Sequence, residues 1–392
     1  METVELFAGI GGFRLAADRL GFVTRWANDL CPIASAVYRA RFGDCGLREG
    51  DVRALLDEVP PHDLLTAGFP CQPFSSAGKK RGVRDPRGSL FEAIVHVLRA
   101  LRPRWFVLEN VKRLLSMERG DHFATILAAL AELDYRIEWR LLNAVDFGLP
   151  QNRQRVFLAG TRVDLVGRTG AAAGLVLAGE DESAETRDQR SEVGGQRPSR
   201  RKHSRSEFVE RGIEWRAIRD HAARFPTWGV AEAGRFVACD LDGSPPASRM
   251  AAPRLQDLLE REVDPMFDFT AATQDRLRDN RLVERFVGGV QIVSNQNGGA
   301  RMGYTIFGID GVAPTLTATP SRHYERYRIG DRYRRLTNIE YARLQGFPDD
   351  HCATASIYDQ YALYGNAVPP PVAEWVLGRV TRGSLLAPPV NP

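Results

Sequence analysis

The sequence predicts an α/β fold, a mostly parallel sheet flanked by helices, followed by a smaller irregular domain. Three observations predict it. A short apolar run, Val4 to Phe7, meets a glycine-rich turn and then a segment of helical spacing, Phe13 to Leu20, the opening half of a βαβ unit. Similar runs recur at Phe22 to Trp26, Leu64 to Ala67 and Trp105 to Leu108, each followed by a turn or a carboxylate. The alternation stops near residue 165 and returns only toward the carboxyl end.

Composition narrows the class. The 392 residues suffice for two domains, and 43% hydrophobic with 26% charged is an ordinary globular balance. A net charge of +4, from 53 basic and 49 acidic residues, permits a nucleic-acid partner without requiring one. Cys31, Cys45, Cys71, Cys239 and Cys352 are odd in number and contain no Cys-x-x-Cys pair, which argues against a disulfide framework and a zinc site. No metal is expected, and a reducing cytoplasm is the expected setting. The first residues lack a basic segment before an apolar core, and no apolar run has bilayer length, so no membrane association is expected.

The elements follow in order. After the first strand, Ala8-Gly9-Ile10-Gly11-Gly12 lets backbone approach a ligand at the sheet's carboxyl edge, although a tight turn alone would use the same glycines. The second strand ends in Ala27-Asn28-Asp29, and a further junction reads Gly50-Asp51-Val52. Carboxylates there suit a nucleoside's hydroxyl and amino groups; each could equally cap the helical segment behind it. The run Leu64 to Ala67 leads into Gly-Phe-Pro-Cys-Gln-Pro-Phe-Ser at 68–75, where Pro70 and Pro73 stiffen the loop presenting Cys71. A thiol so placed is a candidate nucleophile, against the commoner role of a small buried hydrophobe.

Residues 77–88 are rich in glycine and positive charge, suited to an anion such as phosphate. Ser89 can cap a helix with Phe91, Ile94, Val95, Leu98 and Leu101 on one face. The strand Trp105 to Leu108 ends in Glu109-Asn110-Val111, and a helix follows with Phe123, Ile126, Leu127, Leu130 and Leu133 on its apolar side. Strands Tyr135 to Leu142 and Val156 to Ala159 flank Gln151-Asn152-Arg153-Gln154-Arg155, whose two arginines at i, i+2 point the same way on extended backbone. Residues 179–206 read as a disordered insertion. From about 208 to 329 the segments are short and mixed, with the basic-aromatic run Ser321 to Arg328 suited to a nucleic-acid surface. Thr337 and Glu340 form a capping box, and the helix they open stops near Gln345-Gly346. A final helix begins near Pro371, with Val372, Trp375, Val376 and Val380 on one face that should return to the first domain.

Together these stretches resemble the DNA cytosine-5 methyltransferases of bacterial restriction-modification type. The resemblance rests, in the family's order, on Phe7-Ala8-Gly9-Ile10-Gly11-Gly12, Pro70-Cys71-Gln72, Arg87-Gly88-Ser89-Leu90-Phe91, Glu109-Asn110-Val111, and Gln151-x-Arg153-x-Arg155. It continues in Arg335-Leu336-Thr337 with Glu340, Arg343-Leu344-Gln345-Gly346-Phe347-Pro348, and Gly365-Asn366-Ala367-Val368. It implies a Rossmann-like S-adenosylmethionine-dependent methyltransferase fold. Residues 1–162 with 351–392 would form the catalytic domain and 163–350 the target-recognition domain.

The resemblance implies S-adenosylmethionine bound by Phe7, Gly9, Gly11, Gly12, Asp29, Asp51, Leu90 and Asn366; Asp29 is shorter than the glutamate many members carry. It implies Cys71, Glu109, Arg153 and Arg155 as catalytic residues and double-stranded DNA as partner, with Gln72, Ser75, Lys79, Arg87, Gln151 and Thr315 at the DNA; Arg301, Arg322, His323 and Tyr324 are candidates for base contacts because arginine pairs with guanine edges and aromatics fill the gap left by a flipped base. A monomer is expected, cytoplasmic and on the nucleoid, with a cognate restriction endonuclease acting separately. The chemistry favours this independently, because carbon 5 of cytosine becomes nucleophilic only after a thiolate adds at carbon 6, which requires a base outside the duplex. A transfer-RNA-modifying relative and a non-catalytic DNA-binding relative are the alternatives. The first usually has a shorter variable region and a Cys-Phe-Thr signature absent here, and the intact Cys71, Glu109 and Arg155 count against the second.

Overall fold

The computed structural model describes residues 1–43, 46–70, 90–166, 215–241, 253–295, 305–318 and 325–385. Cys71, Gln72, Ser75, Lys79, Arg87, Arg301, Arg322, His323, Tyr324 and the 179–206 segment lie outside these residues. The first five strands are β1 (Glu2–Leu6), β2 (Val23–Asp29), β3 (Leu47–Glu49), β4 (Leu64–Gly68) and β5 (Trp105–Val111). They are ordered β3-β2-β1-β4-β5, with every neighbouring pair parallel. Helices α1 (Gly12–Arg19), α2 (Pro32–Phe42), α3 (Leu90–Leu101) and α4 (Asp121–Ala131) accompany them. The order reverses between β1 and β4, so the carboxyl ends of those two strands border the crevice where open α/β sheets hold ligands.

Both faces of this sheet are covered, which is why its strands read as continuous apolar runs. Val4, Leu6, Phe106 and Leu108 pack with Phe91, Ile94, Leu98, Phe123 and Leu127 of α3 and α4. The alternate residues Leu64, Trp105 and Val107 pack with Phe13, Ala16 and Ala17 of α1 and with Val372, Val376 and Val380 of the last helix, α8 (Pro370–Leu385). The expected return of the carboxyl-terminal helix therefore holds, with Trp375 half-buried against the same cluster.

Beyond β5 the sheet departs from the mostly parallel arrangement. Strands β6 (Tyr135–Asn143) and β7 (Gln154–Arg162) pair antiparallel with each other, and β7 pairs antiparallel with β5. Ten residues separate them, too few for a parallel crossover with its own helix. A second correction concerns the domain boundary. Strands β8 (Arg216–Ala217), β9 (Trp228–Glu232) and β10 (Arg235–Cys239), expected in the recognition domain, extend the large sheet through β6–β9 pairing. Trp139, Phe225 and Phe236 join its core.

The smaller lobe carries α5 (Ala271–Arg278) and a sheet of β11 (Leu282–Val287), β12 (Val290–Asn295), β13 (Thr305–Phe307), β14 (Arg326–Ile329) and β15 (Arg332–Arg334), in that order. Tyr327 is fully buried in its core, as packing rather than DNA contact requires. Helices α6 (Asn338–Gln345) and α7 (Ile357–Asn366) pack between this lobe and Ile10, Ala34 and Val37 of the large domain. The capping box at Thr337 and Glu340 is present, and Gly346 ends α6 in the left-handed conformation. Among the described residues no helix is long and apolar enough to cross a membrane.

One buried carboxyl links the sheet to pH. Glu5 in mid β1 is 2% exposed, the Tyr38 hydroxyl donates to it, and burial pushes its pKa up to about 8. The native state thus keeps a proton that the unfolded chain releases near 4.5. Its stabilising contribution is full below that pH and is lost as pH rises through about 8. Glu5→Gln should remove this loss, roughly 1.4 kcal/mol per pH unit across the window. Urea unfolding at several pH values should show the variant gaining on the wild type as pH rises; parallel curves would refute it.

Candidate active site

The loop after β1 is shaped by backbone that few side chains tolerate. Phe7 and Gly9 both have φ of 55°, and Gly9 N donates to Asp29 Oδ2 at 2.6 Å. A Cβ on Gly9 would meet nothing within 4 Å, so open space lies before it. Gly11 and Gly12 serve packing instead. A Cβ on Gly12 would fall 2.2 Å from the Val368 carbonyl, and one on Gly11 2.4 Å from the Phe42 ring.

Asp29 closes the loop from β2. Its second oxygen accepts from Cys31 N at 2.8 Å, and burial raises its carboxyl above the ordinary range. Asp51, expected at the cofactor, caps the turn at 52–54, accepting from Arg53 N at 3.0 Å, and pairs with the Arg53 guanidinium. That pairing lowers its pKa. Leu90 is half-buried on the core at the start of α3, and Asn366 is exposed at the end of α7.

The other half of the candidate site lies one strand over. The β4–β5 register sets Gly68 beside Glu109, and Asn110 Nδ2 donates to Phe69 O at 2.9 Å, fixing the backbone two residues before Cys71. A Cβ on Gly68 would stand 3.7 Å from Glu109 Oε2, so the carboxyl lies over the strand's exit. Arg155 Nε is 3.1 Å from Glu109 Oε1, with the two side chains 14% and 11% exposed. Burial raises the Glu109 carboxyl despite the attraction of Arg155 and Arg153, and it lowers Arg155. The pair is held where the neutral acid is favoured more than in water.

Arg153 and Arg155 both act near Glu109, yet they do different work. Arg153 is 2% exposed and donates to the carbonyls of Leu316 at 3.0 Å, Gly365 at 2.9 Å and Ala367 at 3.0 Å. Burial draws its pKa down to about 9, so it stays charged at neutral pH. Through those carbonyls it binds the residues around Thr315 to those around Asn366.

Gln151 is a correction to the DNA-contact assignment. It is fully buried, donates to Leu344 O and Gln345 Oε1, and accepts from Leu316 N. Its amide is consumed inside the protein. Thr315 is half-buried, and its hydroxyl donates to Asn152 O at 2.6 Å.

Three contributors carried no assigned role in the sequence reading. Asn110 could have been found from its place beside Glu109. Asn28, donating to Arg48 O and Gly50 O at 2.9 Å each, lies beside Asp29 and laces the ends of β2 and β3. His351 hydrogen-bonds Ile10 O at 2.7 Å across 341 residues of chain, and nothing local signals that contact. Among the described residues no group of histidine, cysteine and carboxylate side chains could hold a metal ion.

Comparison with known proteins gives consistent findings. A family model described as C-5 cytosine-specific DNA methylase matches residues 1–382. The chain is 42% identical over 160 residues to the Type II methyltransferase M.NgoBI of Neisseria gonorrhoeae, 41% of the chain and 50% of that protein. It thus spans about half the length of that relative. It is 29% identical over 422 residues to the Type II methyltransferase M.HgiBI of Herpetosiphon aurantiacus, with 94% of each covered. Among solved structures, the S. pombe Dnmt2 methyltransferase matches with a TM-score of 0.59 and 16% identity, over 97% of this chain and 98% of that one, a likeness of fold.

Proposed function

The chain belongs to the C-5 cytosine-specific DNA methylase family, and from this we propose that it methylates carbon 5 of cytosine at one short sequence in double-stranded DNA, as the modification partner of a separately acting restriction endonuclease. The observation that supports this best is the buried Glu109–Arg155 pair set over the strand that leads to Cys71. We take the protein to act as a monomer on the nucleoid of the cytoplasm. The recognition domain is assigned within 163–350, less the strands β8 to β10.

S-adenosylmethionine, when bound, supplies an electrophilic methyl group. The residues present suit it: open space before Gly9 and a half-buried Asp29 carboxyl at the switch point fit a polar nucleoside, and the resemblance assigns Phe7, Leu90 and Asn366 to the same ligand. Gly11 and Gly12 would hold the loop's shape, and the partly exposed Asp51 carboxylate, which caps the turn at Arg53, would reach the adenine.

Cys71 is the nucleophile in this reading. Its thiolate adds to carbon 6 of a flipped-out cytosine, and the electron pair moves to carbon 5, which takes the methyl group. Neutral Glu109 donates to ring nitrogen 3 and accepts from the exocyclic amine, while Arg155 holds the carbonyl oxygen at position 2. A base, with an ordered water as the candidate, then takes the carbon 5 proton, and the thiolate leaves. The basic residues at 76–87, including Lys79 and Arg87, would clamp the extruded strand beside Gln72 and Ser75. Thr315 is assigned to DNA backbone, and Arg301, Arg322, His323 and Tyr324 to base edges.

Bisulfite sequencing of DNA from cells expressing the chain tests the assignment. Protected cytosines should share one sequence context. Protection confined to transfer RNA would move the substrate class, and no protection in either would refute the reading.

A further inference from the structure

Each residue from Gln151 to Arg155 ties down a different part of the molecule. Gln151 holds the end of α6, Arg153 holds the 316 and 365–367 backbone, Gln154 accepts from Lys112 at 2.7 Å, and Arg155 holds Glu109. Asn152 reaches the small lobe. Its Nδ2 donates to Gly288 O at 3.1 Å, its Oδ1 accepts from Asn143 Nδ2 at 3.0 Å, its N donates to Ala313 O at 2.8 Å, and its carbonyl accepts from Thr315 Oγ1 at 2.6 Å.

Gly288 opens the two-glycine turn between β11 and β12, with φ of 55°, and a Cβ there would lie 2.6 Å from Asn152 Nδ2. The same turn is gripped from its other side by Val312 N, which donates to Gly289 O at 2.9 Å. The hairpin beyond is open: β11 is an edge strand exposed at every residue, and Arg281 beside it is exposed too. Asn152 thus has one side on this hairpin and the other on Asn143 at the end of β6, whose register partner Gln154 precedes Arg155 in the neighbouring strand.

We propose that Asn152 is a positioning residue that couples the β11–β12 hairpin and the 313–316 segment to the Glu109–Arg155 pair, so that DNA held on the small lobe is placed in register with the reacting base. The inference rests on the function proposed above. Its side-chain amide fixes where the hairpin stands relative to the site, and it touches neither base nor cofactor. Loss of the Nδ2 donor leaves the reaction pair intact but frees the hairpin's turn on that side. Discrimination between DNA sites should suffer, and the chemical step should not.

The test uses the full chain and the site found by bisulfite sequencing. Asn152→Asp, close to isosteric but without the donor, and Asn152→Ala should each raise the KM for that site about ten-fold. Each should also lower the ratio of kcat/KM at that site to kcat/KM at singly substituted sites about ten-fold, equivalent to about 1.4 kcal/mol. The kcat at saturating DNA, the S-adenosylmethionine Kd and the melting temperature should stay within about two-fold or two degrees, a split that a purely structural role would not give. Gly288→Ala crowds the same contact from the hairpin side and should reproduce the loss of discrimination, which keeps the proposal testable if one Asn152 variant fails to fold. Unchanged KM and discrimination in the soluble variants, or kcat and cofactor affinity falling together with them, would overturn it. A wild-type protein that methylates no DNA would instead remove the functional reading beneath it.

Discussion

Replacing Cys71 by serine should lower methyl transfer by about four orders of magnitude or more while leaving DNA and S-adenosylmethionine binding near wild type. Serine is nearly isosteric but scarcely ionises at neutral pH, and without addition at carbon 6 the ring offers no nucleophile at carbon 5. Single-turnover assays with labelled cofactor would measure the loss, and filter binding would measure the retained affinities. DNA containing 5-fluorocytosine should trap the wild-type protein covalently at Cys71, because fluorine cannot leave as a proton does. Turnover by the serine variant, or an adduct at another cysteine, would end the assignment. The environment makes the prediction specific: Asn110 pins Phe69, and Glu109 stands over Gly68 at the exit of the strand that leads to Cys71.

Replacing Glu109 by glutamine should cost about two to three orders of magnitude in kcat, the scale for losing a general acid, because the amide can hydrogen-bond ring nitrogen 3 but cannot pass it a proton as addition at carbon 6 builds charge there. In the proposed reaction the neutral carboxyl is the working form, since it would donate to ring nitrogen 3. Burial raises its pKa above the carboxylate range, against the pull of Arg155. Activity should therefore be retained below that raised pKa and fall as pH rises through it. Glutamine keeps a donor but has no proton to lose, so the alkaline limb due to Glu109 should vanish with the substitution. A variant within a few-fold of wild type, or one with the same alkaline limb, would remove Glu109 from the reaction.

The elements that were readable in the chain were those whose causes are local. Thr337 and Glu340 sit three residues apart and cap the helix they open. Phe91, Ile94 and Leu98 recur at helical spacing and meet the sheet from α3. Asp51 shows the limit of such reading. A carboxylate after a strand suits a nucleoside or a cap, and the bonds to Arg53 N and to the Arg53 guanidinium show the cap, a role compatible with the first. Gln151 is similar: the family resemblance implies a DNA contact, but its partners are Gln345 and the Leu344 and Leu316 backbone, 165 to 194 residues on.

Strand periodicity, glycine turns and caps depend on neighbours within a few residues, so the chain's order of residues determined the parallel half of the sheet, the loop at Gly9 and the returning helix at Val372. Tertiary structure decided what depends on distant partners. It joined β8 to β10 to the large sheet, because an antiparallel edge can accept any strand that buries its apolar side. It also turned Arg153 inward, because the carbonyls at 316, 365 and 367 converge on one buried point and only a fully charged, forked donor satisfies all three there.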